Sequence, residues 1–122
     1  MDYELETLKQ LLINCQSLES IMVTCDKKEK EMLKVVAEYS PKKFYELKLH
    51  YGCDAQPALL SEELESFFIS WANRIPQKSF SFIIILNNSV TLLRNFENTK
   101  IIEKYIKLGI IKEFKTIEYH II

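Results

Sequence analysis

The chain has 122 residues, 48% of them hydrophobic and 27% charged, and its 16 basic and 17 acidic side chains leave a net charge of −1. That length supports one modest core, which excludes a cleft between two lobes, and the balanced charge excludes the basic footprint of a dedicated nucleic-acid binder. Only two glycines are present, Gly52 and Gly109, so a glycine-rich phosphate loop is excluded as well and the composition argues against an enzyme.

Hydrophobic spacing predicts helix and strand in alternation four times over. Leu5, Leu8, Leu11, Leu12 and Cys15 recur at steps of three and four and predict a first helix buried along that face. The run from Leu18 to Val23 follows as a strand. Asp26 and Glu29 are spaced as a capping box, and Met32, Leu33, Val36 and Ala37 then form the buried stripe of a second helix. Pro41 ends that helix, since its ring disfavours helical geometry in Ser40, and Phe44 to Leu49 is the second strand.

Ser61 is placed to cap a third helix, with Glu62 and Glu63 in the first turn, where the helix dipole favours carboxylates. Its apolar face is Leu64, Phe67, Phe68 and Trp71, and Pro76 closes it. Phe80 to Leu86 is the most β-prone run in the chain, and Asn87 and Asn88 break it. A fourth helix from Thr99 to Leu108 turns Ile101, Ile102, Tyr105 and Ile106 inward. Gly109 stands where a left-handed terminator belongs, and Ile111 to Tyr119 is the last strand.

The four strands share a template of one apolar residue, two free positions, a second apolar residue, one free position and a sixth residue that is usually apolar. Its members are Leu18/Ile21/Val23, Phe44/Leu47/Leu49, Phe80/Ile83/Ile85 and Ile111/Phe114/Thr116. One helix plus one strand cannot bury its own apolar stripe, whereas stacked units share a continuous core. The expected fold is therefore an α/β leucine-rich-repeat-like right-handed arc within a single domain, residues 1–122. Its units run about 1–25, 26–53, 54–97 and 98–122, with one parallel sheet and all helices on one side. The competing architecture is a doubly wound sheet in which the strands reorder, with a nucleotide or substrate site at the switch point.

Several segments also resemble the C-terminal repeats of fungal F-box-like leucine-rich-repeat proteins. They are Leu11 to Glu19, Val35 to Pro41, Glu62 to Trp71, Arg74 to Ser79 and Lys100 to Phe114. Such proteins join an N-terminal F-box, which docks on the adaptor of a cullin ubiquitin ligase, to repeats that hold a substrate. The resemblance implies a non-catalytic protein-binding module with an unidentified protein substrate. No F-box-like segment precedes the first unit, so a link to the ligase adaptor is expected only through an F-box that this chain lacks. A small α/β enzyme or nucleotide-binding domain is the alternative function.

In an arc the free template positions form rows on the concave face. The rows read Ser20, Glu46, Phe82 and Glu113; Met22, Lys48, Ile84 and Lys115; and Thr24, His50, Leu86 and Ile117. From these the expected partner-binding residues are Met22, Glu46, Lys48, His50, Phe82, Ile84, Leu86 and Lys115. Phe82, Ile84 and Leu86 form either a hydrophobic hot spot for the partner or a patch covered from within by Val90, Leu92, Leu93 and Phe96.

Cys25, His50 and Cys53 are ligand types gathered near one end of two strands, but a structural zinc needs a fourth ligand and none is near, so no metal and no cofactor are expected. His120 has no nucleophile in a convincing relation to it. Lys100, Lys104 and Lys107 read as a solvated helix face, and Trp71 as core. An odd number of cysteines and the lack of a secretory signal or long apolar run predict a soluble chain of cytoplasm or nucleus, with neither nucleic acid nor membrane as partner. Solenoid ends need a polar cap, yet the chain opens directly on a helix and closes with Tyr119, Ile121 and Ile122, which predicts marginal stability or self-association through exposed terminal units.

Overall fold

The computed structural model describes residues 3–25, 28–51, 60–74, 79–87 and 96–119. Helices and strands alternate: α1 (Tyr3–Asn14), β1 (Ser20–Cys25), α2 (Glu29–Tyr39), β2 (Glu46–Tyr51), α3 (Ser61–Ala72), β3 (Phe80–Asn87), α4 (Phe96–Lys107) and β4 (Ile111–Tyr119). The strands form one parallel sheet in the order β1-β2-β3-β4. Each crossover advances one strand in the same direction, and a right-handed crossover then puts every connecting helix on the same face. The helices follow suit, α1 packing on α2, α2 on α3 and α3 on α4. This is the leucine-rich-repeat-like arrangement that the four-fold alternation predicts. It has no point at which strand order reverses, so the reordered, doubly wound sheet is not the architecture of the described residues.

The core lies between the helix layer and the sheet. Leu12, Leu33, Val36, Phe68 and Phe82 are sealed from solvent, as are Phe44, Leu47, Leu49 and Phe80. Rings connect the layers: Phe80 sits 4.8 Å from Trp71 and 5.7 Å from Phe67, Phe82 sits 5.8 Å from Phe68, and Phe68 reaches Tyr105 on α4 at 5.1 Å. The Phe67–Phe80 and Phe68–Phe82 pairs are edge-to-face, at 89° and 85°, the geometry that brings a ring's positive edge to a negative face.

Several local expectations shift. β1 and β2 begin two residues beyond Leu18 and Phe44, because these apolar residues anchor the approach to each strand; Phe44 is buried and Leu18 packs against the core. The N-cap of α3 is Leu60, whose backbone N–H donates to Glu63 Oε1 at 3.1 Å, while Ser61 Oγ donates to Asn98 Oδ1 at 2.9 Å. α4 starts at Phe96, earlier than Thr99. Leu11, Cys15 and Ile106 are exposed, so the buried stripes of α1 and α4 are narrower than their spacing suggests. The N-cap of α2 is Lys28, with no side-chain capping bond, which puts Glu29 at the first helical position and not the third that the expected capping box requires; Asp26 itself lies outside the described residues.

Two contacts tie consecutive units together. Arg74, just past α3, lies 4.4 Å from the Trp71 ring and donates through Nη2 to the carbonyls of Ser40 and Pro41, closing the end of α2. Burial lowers the guanidinium pKa there, and Nη1 is buried with no hydrogen-bond partner among the described residues. Between α3 and α4, Glu65 Oε2 accepts from Lys104 Nζ and from Tyr105 Oη, each at 3.0 Å.

Gly109 ends α4 at φ 80°. Ile110 N–H donates to the Tyr105 carbonyl and Gly109 N–H to the Ile106 carbonyl, both at 3.0 Å, the paired bonds of a Schellman motif. The buried Ile110 then passes directly into β4. A Cβ at Gly109 would meet nothing within 4 Å, so the cost of adding one is conformational. Gly109→Ala is expected to lower stability by about 1–2 kcal/mol in urea titration with an unchanged far-UV spectrum.

The hydrogen bonds from Lys104 and Tyr105 hold the Glu65 carboxyl below its usual range, and the same contact raises Lys104. A lowered carboxyl pKa adds stability above the unfolded-state value, and that stability is lost as pH falls through the folded-state value. The raised lysine keeps its share until pH climbs through its folded-state value. Glu65→Gln should therefore be less stable than wild type at neutral pH, with the gap closing on acidification. A gap that persists in acid would assign the loss to packing instead.

Candidate protein-binding face

The face of the sheet opposite the helices is set by register. Ser20, Glu46, Ser81 and Glu113 form the first row across the strands; Met22, Lys48, Ile83 and Lys115 the second; Thr24, His50, Ile85 and Ile117 the third. Alternation puts the intervening Ile21, Leu47, Phe82 and Phe114, and then Val23, Leu49, Ile84 and Thr116, toward the helices. Met22, Glu46, Lys48, His50 and Lys115 thus share the open face as the template predicts.

Phe82 and Ile84 do not. They are 0% and 3% exposed and belong to the core, Phe82 between Phe68 of α3 and Phe114 of β4. The template is one residue out of phase on β3, and with a side-chain period of two, a one-residue slip exchanges the faces completely. Ser81, Ile83 and Ile85 occupy the outer positions instead. Leu86 pairs in register with Tyr51 and Glu118, and its side chain lies outside the described residues, as do the proposed covering residues Val90, Leu92 and Leu93 and the side chain of Phe96.

The outer face is an ionic frame around an apolar ridge. Ser20 Oγ donates to Glu46 Oε1 at 2.7 Å, and Lys48 Nζ lies 3.4 Å from the same oxygen. Across β3, Lys115 Nζ lies 2.7 Å from Glu113 Oε1, and that carboxylate, with a smaller contribution from Glu46, raises the Lys115 pKa. Ile83 stands in register between Lys48 and Lys115, and Ile85 between His50 and Ile117. Ile83 and Ile85 are each 7% exposed, in contrast to Met22 at 59%. Lysine stems beside an isoleucine can cover its flanks while their ammonium groups stay in water.

A second concavity lies in the helix layer. A groove of about 330 Å³ runs between α2 and α3, with Lys30 and Lys34 on one side, Glu62 and Ser66 on the other, and Leu33 and Phe67 between them. Cys25 and His50 stand in adjacent register positions that point to opposite faces, Cys25 buried with the core and His50 partly exposed. The sheet therefore separates two of the three zinc-type residues, and Cys53 lies outside the described residues. Among the described residues no cluster of three histidine, cysteine or carboxylate side chains is placed to hold a metal ion. Burial pushes the Cys25 thiol up to about 12, reinforced by the charge of Glu29. The Lys100 side chain is exposed, and that of Lys104 is committed to Glu65.

Among the described residues no helix is long and apolar enough to cross a membrane. Comparison with protein-family models, curated proteins and solved structures found no match.

The phase of β3 can be tested by stability alone. Phe82→Ala removes a ring from the core and should cost about 3–5 kcal/mol. Lys48→Ala, on the outer face, should cost about 1 kcal/mol or less in the same titration. Near-equal losses at the two positions would contradict the register.

Proposed function

We propose that the chain is a non-catalytic protein-binding module and that the outer face of its sheet receives the partner. The observation that carries this reading is the in-register convergence of Met22, Glu46, Lys48, His50 and Lys115 on the one sheet face without a layer of helices. Extended sheet faces of this kind are what stacked-repeat proteins present to other proteins. Rows of fixed charge beside an exposed methionine supply polar recognition together with an adaptable apolar contact.

In this reading the segments resembling fungal F-box-like leucine-rich-repeat proteins make the module a substrate-recognition element of cytoplasm or nucleus, with any ubiquitin-ligase adaptor reached through an F-box and not through the repeats. The bound species is a protein whose surface offers both signs of charge opposite the Glu46/Lys48 and Glu113/Lys115 pairs.

The test is quantitative affinity capture with three baits: wild type, Met22→Asp/Lys48→Glu/His50→Glu on the outer face, and Lys34→Glu/Glu62→Lys beside the helix-layer groove. A protein held by wild type and by the groove variant but lost by the outer-face variant is the expected result. Loss confined to the groove variant would move the binding site to the helix layer.

A further inference from the structure

The sheet ends on β4, and no described strand pairs with its outer edge. A free edge of this length presents unpaired N–H and C=O groups and needs either blocking or pairing. We propose that it pairs with itself: two copies of the chain join antiparallel along β4, with Phe114 of each copy opposite Phe114 of the other.

The backbone sets which residues can stand at the centre. Ser81 N–H donates to the Tyr45 carbonyl on the β2 side, at 2.7 Å, so the next residue, Phe82, turns its N–H and C=O toward β4. Phe82 is in register with Phe114, and a residue in a parallel ladder bonds the neighbours flanking its partner, here Glu113 and Lys115. The N–H and C=O of Phe114 are left facing the outer edge, with which no described strand pairs. Two copies meeting there can exchange a pair of backbone hydrogen bonds between their Phe114 residues, as directly opposed residues of an antiparallel ladder do.

Side-chain chemistry selects the same register. Pairing about Phe114 sets Glu113 opposite Lys115 of the second copy, and Lys115 opposite its Glu113. With the contact already present within each strand, 2.7 Å from Lys115 Nζ to Glu113 Oε1, the four groups form a square of alternating charge. Shifting the centre by one residue either way is unfavourable: centring on Glu113 opposes two glutamates, and centring on Lys115 opposes two lysines. Centring on Thr116 sets Lys115 opposite Ile117 and leaves the charges unmatched. On the helix side, Phe114 is only partly buried, its ring tilted 34° against that of Phe82 at 5.9 Å, and its exposed part would meet the same residue of the second copy. The Phe80/Ser81 irregularity in the β3–β4 ladder, which sets Ile111 and Glu113 opposite consecutive residues, confines the regular paired stretch to Glu113 onward.

Glu113 and Lys115 also border the proposed binding face, but the dimer test needs no partner protein and uses none of the residues substituted to probe that function, so failure of one reading is distinguishable from failure of the other. Sedimentation velocity across a concentration series should show wild type passing from monomer to dimer. Glu113→Lys makes the four facing groups all basic and Lys115→Glu makes them all acidic, so each variant alone should dissociate at least about tenfold more readily than wild type. An equimolar mixture of the two variants should form a heterodimer, since each all-basic strand then faces an all-acidic one. The double variant Glu113→Lys/Lys115→Glu should dimerise like wild type because the square still alternates. Far-UV circular dichroism establishes that every variant is folded. A wild-type chain that stays monomeric throughout overturns the proposal and leaves the edge to a strand from another source. So does a dimer that survives both single charge reversals, or single variants that fail to pair when mixed.

Discussion

The packing of α3 on β3 holds this structure together. Phe67, Phe68 and Trp71 fall at helical spacing on one face of α3 and meet Phe80 and Phe82, which alternate along β3, so two periodicities present rings to one another across the layer boundary. From there the contacts spread to Phe44 ahead of β2, Tyr105 on α4 and Phe114 on β4. The second, third and fourth units are thereby joined through a shared set of rings, and Arg74 adds a polar tie from the end of α3 to the end of α2.

That packing decides what the opposite face can be. Once Phe82 and Ile84 are committed to the core, Ser81, Ile83 and Ile85 take the outer positions of β3, and the exposed apolar patch expected there gives way to a narrow ridge between lysines. The resulting face is framed by paired charges, with Met22 at its margin. For the proposed protein-binding role, a mode led by charge and shape suits this face better than one led by a large hydrophobic hot spot.

Element order and parallel pairing in sequence order were legible because each helix carries an apolar stripe and each strand an apolar pair at period two. The register of β3 was not, because Phe82, Ile83, Ile84, Ile85 and Leu86 are apolar without interruption and either phase satisfies the template. The usable signal was Ser81, the one polar residue between Phe80 and Leu86: aligning it with Ser20, Glu46 and Glu113 gives the observed rows. Arg74 was invisible as a clamp, since its partners are backbone carbonyls some thirty residues away and carry no side-chain signature. The exposure of Ile106 was equally hidden, because spacing identifies an apolar stripe but not how wide a surface the neighbouring elements cover.

The most direct measurement of this account is a side-chain NOE experiment on the intact chain. The Phe82 ring should show contacts to Phe68 and Phe114, while the Ile83 methyl groups contact the side chains of Lys48 and Lys115. Contacts from Phe82 to Lys48 and Lys115, with Ile83 meeting Phe68, would reverse the two faces of β3 and contradict both the core and the outer face described for this protein.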